Sequence, residues 1–247
     1  MDNVDLGMFD LSGKTACVTG ASSGLGRRTA TILADAGAQV VGVARRRDAL
    51  QDWHQTTTGD TAFVVSDLTN RDMLAGLVET VNAQFGPPDI VVHAAGINTR
   101  EPADDVTSPG WDTTLELNLS TAFFLSQQFV GPMKSKGWGR IVNFASLQSF
   151  RAFAGGIAYG ASKGGVAQMT RAMAEAWSRD GINVNAIAPG FFRTELTAAV
   201  FADQTLTQRH ADQTCIGRNG EVGDIDGPIL FLCSDASAYV TGQVMSV

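Results

Sequence analysis

The feature that most constrains this chain is a repeated alternation. A short, continuous apolar run is followed by a longer amphipathic stretch, from one end of the sequence to the other. "KTACVT" (14–19) reads as a strand, and "GLGRRTATILADAG" as a helix closed by Gly37. "AQVVGVA" (38–44), "TAFVVS" (61–66), "PDIVVHAA" (88–95), "GRIVNFA" (139–145) and "INVNAIA" (182–188) repeat the strand pattern, and "GQVMSV" closes the chain as a last strand. Helical stretches fall at "RRDALQDWHQ" and at roughly 70–85, 109–135, 157–179 and 221–234. Strands that are apolar throughout, rather than at alternate positions, suit a parallel sheet covered on both faces. Strict alternation therefore predicts an α/β fold with a doubly wound sheet. No linker, repeat or low-complexity segment breaks the pattern, so residues 1–247 are expected to form a single domain, with a substrate flap near 191–216.

Composition narrows the function classes. The 247 residues are 44% hydrophobic and 17% charged, which fits a large buried core and not a disordered chain. A net charge of -7 argues against nucleic acid or an anionic membrane as partner. The three cysteines, Cys17, Cys215 and Cys233, match no zinc spacing, and Cys17 lies in an apolar run as an inert buried thiol would. His54, His93 and His210 show no ligand spacing either, so no protein-bound metal is expected. "MDNVDLGMFD" has neither a basic start nor an apolar stretch, and no apolar run reaches the about 18 residues of a membrane span. The expectation is a soluble cytoplasmic protein in a reducing compartment.

"TGASSGLG" (19–26) joins the first strand to the first helix. Gly20 permits a tight turn; Gly24 and Gly26 remove side chains where backbone approaches a ligand or where the helix packs on the sheet. The helix start then offers N–H groups and partial positive charge to a pyrophosphate. The spacing, G-x-x-x-G-x-G, differs from the usual dinucleotide fingerprint, but its place between strand and helix points to a dinucleotide site. At the tip of the second strand, where an acid would bind the ribose hydroxyls of NAD, the chain has Ala44 followed by Arg45, Arg46 and Arg47. Guanidinium groups there suit a 2′-phosphate, so NADP is expected over NAD, with Arg45 foremost. Asp67, after the third strand, either accepts a bond from the adenine amino group or caps the next helix.

In "AYGASKGG" (158–165), Tyr159 and Lys163 lie one helical turn apart on one face among small residues. Such a pair is often an ordinary surface pair. Here the bare surroundings leave room for a nicotinamide and a substrate. A nearby cation favours the phenolate, which would let Tyr159 exchange a proton near neutral pH.

Together, "TGASSGLG", "AAG" (94–96), Asn118, Ser146, "YGASK" (159–163) and "NAIAPGFFRT" (185–194) resemble the short-chain dehydrogenase/reductase family along nearly the whole chain. The resemblance implies a Rossmann-type, seven-stranded parallel sheet, hydride transfer between nicotinamide and a secondary alcohol or ketone, and a homotetramer or dimer. It carries the catalytic set onto Asn118, Ser146, Tyr159 and Lys163. Tyr159 would be the proton donor and acceptor, and Ser146 would hold the substrate oxygen. Lys163 would lower the phenol pKa and bond the nicotinamide ribose, and Asn118 would open its helix locally to hold a water. Cofactor contacts are expected from Gly20, Ser22, Ser23, Gly24, Leu25, Gly26, Arg45, Arg46, Asp67, Leu68, Ala95, Gly96, Tyr159, Lys163, Pro189, Gly190, Phe192 and Thr194. "ASLQS" (145–149), "ASKGGV" (161–166) and "FFRTELT" (191–197) are similar to the gluconate 5-dehydrogenase group of sugar-acid dehydrogenases. Two departures stand out: "HAAG" replaces the family's "NNAG", and the sequence ends at "MSV", where family members usually continue with an aspartate and two glycines.

In doubly wound sheets the ligand lies beyond the carboxyl ends of the strands. The loops there carry Asn98, Arg100, Gln148, Arg151, Phe153, Phe191, Phe192 and Arg193. Cations among aromatics suit a hydroxylated, anionic small molecule such as a sugar acid. Ser146, Gln148, Arg151, Tyr159 and Arg193 are its expected contacts, with Arg151 the first choice for a carboxylate. A 3-oxoacyl-thioester reductase and a non-catalytic NADP-binding scaffold are the alternatives.

Overall fold

The computed structural model describes residues 6–247; the first half of the N-terminal stretch read for a secretory signal lies outside the described residues. Strand β1 (Thr15–Thr19) leads through the glycine turn into α1 (Gly24–Asp35). There follow β2 (Gln39–Ala44), α2 (Arg47–Thr56), β3 (Thr61–Val65), α3 (Leu74–Phe85) and β4 (Ile90–His93). The second half continues with α4 (Ser108–Leu115), α5 (Thr121–Lys136), β5 (Gly139–Phe144), α6 (Ile157–Trp177) and β6 (Ile182–Ala188). Helices α7 (Ala198–Phe201), α8 (Gln204–Asp212) and α9 (Asp226–Cys233) precede β7 (Val244–Ser246). The strands form one seven-stranded parallel sheet in the order β3-β2-β1-β4-β5-β6-β7.

Side chains alternate between the sheet's two faces. Ala16 and Val18 of β1 pack in the cluster holding Ala30 and Leu33 of α1, Leu50 and Trp53 of α2, and Ile229 and Leu232 of α9. Cys17, between them, packs with Leu77 and Val81 of α3, Leu125 and Phe129 of α5, and Met173 of α6. The central strands are thus buried on both sides, while the edge strands β3 and β7 are partly exposed. Gly42 of β2 makes one helix contact possible, because a Cβ there would lie 2.7 Å from the Trp53 ring. The indole is fully buried, and its Nε1 donates to Thr31 Oγ1 at 3.2 Å.

Chain order reverses between β1 and β4, which sit side by side with Thr19 opposite His93. This switch point opens a crevice at the strands' carboxyl ends. The fourth strand is shorter than its apolar run, because 94–96 leaves the sheet to form the crevice wall. Ala95 N donates to Thr19 Oγ1 at 3.2 Å, and a Cβ on Gly20 (φ +75°) would come within 2.8 Å of Ala95 N. The stretch 109–135 is not one continuous α-helix: a π-helical turn at Glu116–Ser120 separates α4 from α5. The weakly periodic stretch 195–215, within the expected flap, folds as short helices, α7 and α8. Residues 221–234 divide into a 3-10 turn, Val222–Ile225, and α9.

Candidate functional site

A cavity of about 1140 Å³ lies over the carboxyl ends of the strands. Its wall includes every residue expected to contact the cofactor, and also Ser146, Gln148 and Arg151. The glycine turn forms one end. A Cβ on Gly26 would stand 2.4 Å from the Gly20 carbonyl oxygen, and one on Gly24 (φ +54°) would stand 3.3 Å from Thr194. No side chain larger than hydrogen fits at Gly26 without moving backbone. Ser23 precedes α1 in extended conformation and makes no side-chain cap, and the first turn of α1 holds no acidic residue. The helix start therefore presents N–H groups and positive potential to the cavity. These features fit a pyrophosphate.

Arg45 and Arg46 border the same end, with no acid at the tip of β2. Arg46 reaches Ser22 Oγ with Nη2 at 3.1 Å and Glu195 Oε1 with Nη1 at 3.1 Å, so it bridges the glycine turn to the segment before α7. Asp67 accepts from the Thr69 amide at 3.0 Å and the Thr69 hydroxyl at 2.9 Å, bonds that hold its carboxyl below the usual range. It closes a turn while still facing the cavity. A guanidinium pair at the mouth and an uncapped helix start suit a 2′-phosphorylated dinucleotide better than an unphosphorylated one.

Ser146, Tyr159 and Lys163 meet on the floor. Ser146 follows β5 and caps a 3-10 turn, its Oγ accepting from Gln148 N at 3.1 Å. Tyr159 and Lys163 rise from the first turns of α6, both buried. Lys163 Nζ donates to the Phe144 carbonyl at 2.5 Å and lies 5.6 Å from the centre of the Tyr159 ring. Burial lowers the lysine to a pKa of about 8. The phenol departs from the expected direction: burial raises its pKa, against opposition from a hydrogen bond with Ser146 and the charge of Arg100. The sequence reading assigned that opposing role to Lys163. A desolvated ammonium turned toward a carbonyl does less than a guanidinium facing the cavity.

Asn118 sits behind the wall. Its Oδ1 accepts from Ile97 N at 2.9 Å, and its Nδ2 donates to Ile97 O at 2.9 Å and Ser162 Oγ at 3.0 Å. It belongs to the π-helical turn, a widened register that often marks functional sites. A Cβ on Gly96 would stand 3.2 Å from Asn118 Oδ1 and 3.7 Å from Lys163 Nζ, so the three positions pack as one unit. The "HAAG" departure is absorbed locally. His93 Nε2 bonds Ser126 Oγ at 2.7 Å in full burial, which pushes the imidazole pKa to about 3 and keeps it neutral.

The other half of the cavity is cationic and aromatic. Arg100 (φ +56°) donates from Nη2 to the Leu196 carbonyl at 2.7 Å. Arg151 stands 5.8 Å from the centre of the Phe153 ring. The structure does not bring Arg193 to the cavity wall; its guanidinium lies over Phe201, 4.6 Å from the ring centre. In its place α8 supplies Leu206, Arg209 and His210. Sequence reading had no pattern for these three, because 195–215 is weakly periodic and His210 has no ligand-spaced partner. Gln148 Oε1 and His210 Nδ1 are buried with no hydrogen-bond partner among the described residues.

A doubly wound sheet with a glycine turn at its switch point and a Ser–Tyr–Lys floor defines a dinucleotide-dependent oxidoreductase. Residues 20–247 match the family model described as "Enoyl-(Acyl carrier protein) reductase", and the chain belongs to the short-chain dehydrogenase/reductase family. It is 37% identical over 243 residues to gluconate 5-dehydrogenase of Gluconobacter oxydans (strain 621H), covering 97% of this chain and 95% of that one. It is 39% identical to 2-dehydro-3-deoxy-D-gluconate 5-dehydrogenase of Escherichia coli (strain K12), covering 98% and 96%. A crystal structure of gluconate 5-dehydrogenase from Burkholderia cenocepacia J2315, in complex with NADP and tartrate, superimposes with a TM-score of 0.89 at 33% identity, covering 97% and 95%.

Proposed function

We propose that this chain is an NADP-dependent dehydrogenase that interconverts a secondary alcohol and a ketone on a sugar acid. The observation that carries this reading is the continuity of one cavity. It runs from Arg45 and Arg46, over the glycine turn, past Ser146, Tyr159 and Lys163, to Arg100, Arg151 and Arg209. The likeness to the gluconate dehydrogenases supports the substrate class, and the NADP bound by the relative from Burkholderia cenocepacia supports the cofactor.

Tyr159 takes the alcohol proton in oxidation and returns it to the developing alkoxide in reduction. Ser146 donates to the substrate oxygen and to the charge that grows on it. The hydrogen bond with Ser146, and after it the charge of Arg100, opposes in part the burial that raises the phenol pKa. Lys163 anchors the floor through Phe144 and would bond the nicotinamide ribose. Asn118 is a positioning residue, holding the 97 backbone and α6 together. NADP(H), when bound, would supply or accept the hydride. Gly20, Gly24 and Gly26 would admit the pyrophosphate, and Arg45 and Arg46 would hold the 2′-phosphate.

The same reading makes residues 1–247 one catalytic domain with a flap at 191–216, acting on a small molecule in the cytoplasm. Among the described residues no helix is long and apolar enough to cross a membrane. The net charge of -7 disfavours nucleic acid. Assembly as a homotetramer or dimer rests on the family resemblance alone.

The test is a steady-state screen of gluconate, 5-ketogluconate and hexitols with NADP(H) and NAD(H), beside an acetoacetyl thioester. Sugar-acid turnover with NADP(H), reduced about 10²- to 10⁴-fold by Tyr159→Phe, is the expected result. Turnover of the thioester alone would replace this reading with 3-oxoacyl-thioester reduction.

A further inference from the structure

His210 is a histidine for which the proposed chemistry has no use, yet its position is specific. Helix α8 delivers it to the cavity wall, where its ring stacks on Phe191 with centroids 3.6 Å apart and planes 17° apart. Phe153 meets the imidazole edge-on at 6.4 Å, and the guanidinium of Arg151 lies 5.8 Å from the Phe153 ring. The four side chains come from three segments of the chain and line one side of the cavity together. The stack fixes the ring plane, and its Nδ1 is buried with no hydrogen-bond partner among the described residues. An unsatisfied buried nitrogen is costly unless a ligand or water satisfies it.

The charges around it are one-sided. Arg209 on its own helix and Arg151 on the loop after β5 both act on the imidazole. The aromatic rings that pack against it carry no charge, and Gln213 is a neutral hydrogen-bond partner of the ring that opposes the lowering of its pKa. The carboxylates that line the cavity are Asp67, which closes a turn with Thr69, and Glu195, which is engaged by Arg46 at the cofactor end. Two cations and an ionisable ring with no facing acid form an environment that lacks its anion.

We infer that His210 and Arg151 together form the subsite for the anionic end of the substrate, and that His210 makes the enzyme choose an anionic over an uncharged end. This rests on the sugar-acid reading and adds the residue that enforces it. In the free enzyme, burial and Arg209 push the His210 pKa down, a hydrogen bond with Gln213 opposes them and Arg151 adds a smaller lowering; the net shift is downward, so the ring is neutral near pH 7. A carboxylate arriving between His210 and Arg151 reverses the local field and favours imidazolium. Binding of the anion therefore takes up a proton. Affinity is greatest at low pH and falls as pH rises from the free-state pKa to the bound-state pKa. An uncharged polyol makes no such demand.

The test uses the enzyme saturated with NADPH, with tartrate as the anionic probe and threitol as its uncharged counterpart. Dissociation constants are measured by calorimetry between pH 5.5 and 8. His210→Phe keeps the stacked ring and removes both nitrogens; His210→Gln keeps a polar group that does not ionise. Wild-type enzyme should prefer tartrate and lose affinity for it as pH rises. In His210→Phe tartrate affinity should fall about tenfold, the scale of one hydrogen bond to a charged group, threitol affinity should change little, and the pH slope should vanish. His210→Gln should keep part of the affinity with a flat pH profile, and it decides the matter if His210→Phe no longer binds NADPH. Tartrate affinity and pH slope unchanged in both variants would overturn the inference, even if gluconate is turned over. An intact tartrate effect with no sugar acid turned over would leave the subsite standing and remove the substrate reading instead.

Discussion

Where the cavity meets the glycine turn, its wall is backbone. Gly20 lies against the 94–95 chain, Gly26 against the Gly20 carbonyl, and Gly24 beneath Thr194. Where the cavity meets α8, its wall is side chains: Phe153, Phe191, His210, Arg151 and Arg209, gathered from three segments. The first wall can hold only one kind of ligand, because its shape is set by peptide geometry and helix dipole. The second can change its ligand by changing a few residues while the sheet stays as it is. A scaffold of this kind separates a fixed cofactor from an adjustable substrate, and the boundary falls at Ser146 and Tyr159.

Placing a side chain in the backbone wall is the most damaging way to attack this contrast. Gly26→Val puts atoms where a Cβ already lies 2.4 Å from a backbone oxygen that cannot rotate away. The expected result is loss of NADPH binding in a fluorescence titration, with about 1–3 kcal/mol of destabilisation in thermal unfolding, as overpacked sites show. If Gly26→Val binds NADPH normally, the wall is not set by backbone approach and the contrast fails.

The mouth of the cofactor half is intermediate, because its shape is backbone but its selectivity comes from side chains. Removing both guanidinium groups, Arg45→Ala with Arg46→Ala, should reduce the kcat/KM preference for NADP over NAD about 10- to 100-fold, the worth of charge-assisted bonds to a phosphate. Folding stability should hardly move. The Arg46–Glu195 pair is exposed, at 50% and 66%, and such pairs contribute little. An unchanged preference would place 2′-phosphate recognition elsewhere.

The same contrast explains what the sequence could reveal. Gly20, Gly24 and Gly26 are readable because a tight approach of backbone to backbone permits only glycine, at fixed spacing between a strand and a helix. Tyr159 and Lys163 are readable because one helical turn sets both on the same face. The strands are readable from their unbroken apolar runs, though β4 ends early, at His93, because the chain must leave the sheet to reach Thr19 and Gly20. The direction of the Tyr159 shift was not readable. It is set by burial, which only the folded molecule shows, and is opposed first by a hydrogen bond with Ser146 and then by the charge of Arg100, 59 positions away. His210 and Arg209 were hidden for a similar reason. A short helix with weak periodicity does not announce which face it turns inward, and stacking on Phe191 is a tertiary event.

Arg151 and Arg193 looked alike in the sequence, as cations on loops beyond the strand ends, and the structure separates them. Arg151 lines the cavity beside Phe153; Arg193 lies on the Phe201 ring, outside the wall. Arg151→Ala should therefore raise KM for a sugar acid about tenfold, the scale of one charge-assisted contact, with a smaller change in kcat, since the group is remote from the reacting carbon. Arg193→Ala should change KM less than about twofold, an exposed cation–π contact being worth only about 0.5–1 kcal/mol to folding. Paired steady-state measurements with NADP at saturation decide between them. If Arg193→Ala raises KM as much as Arg151→Ala does, the 191–216 segment must turn Arg193 inward when substrate is present. The adjustable wall would then extend beyond α8 to the whole flap.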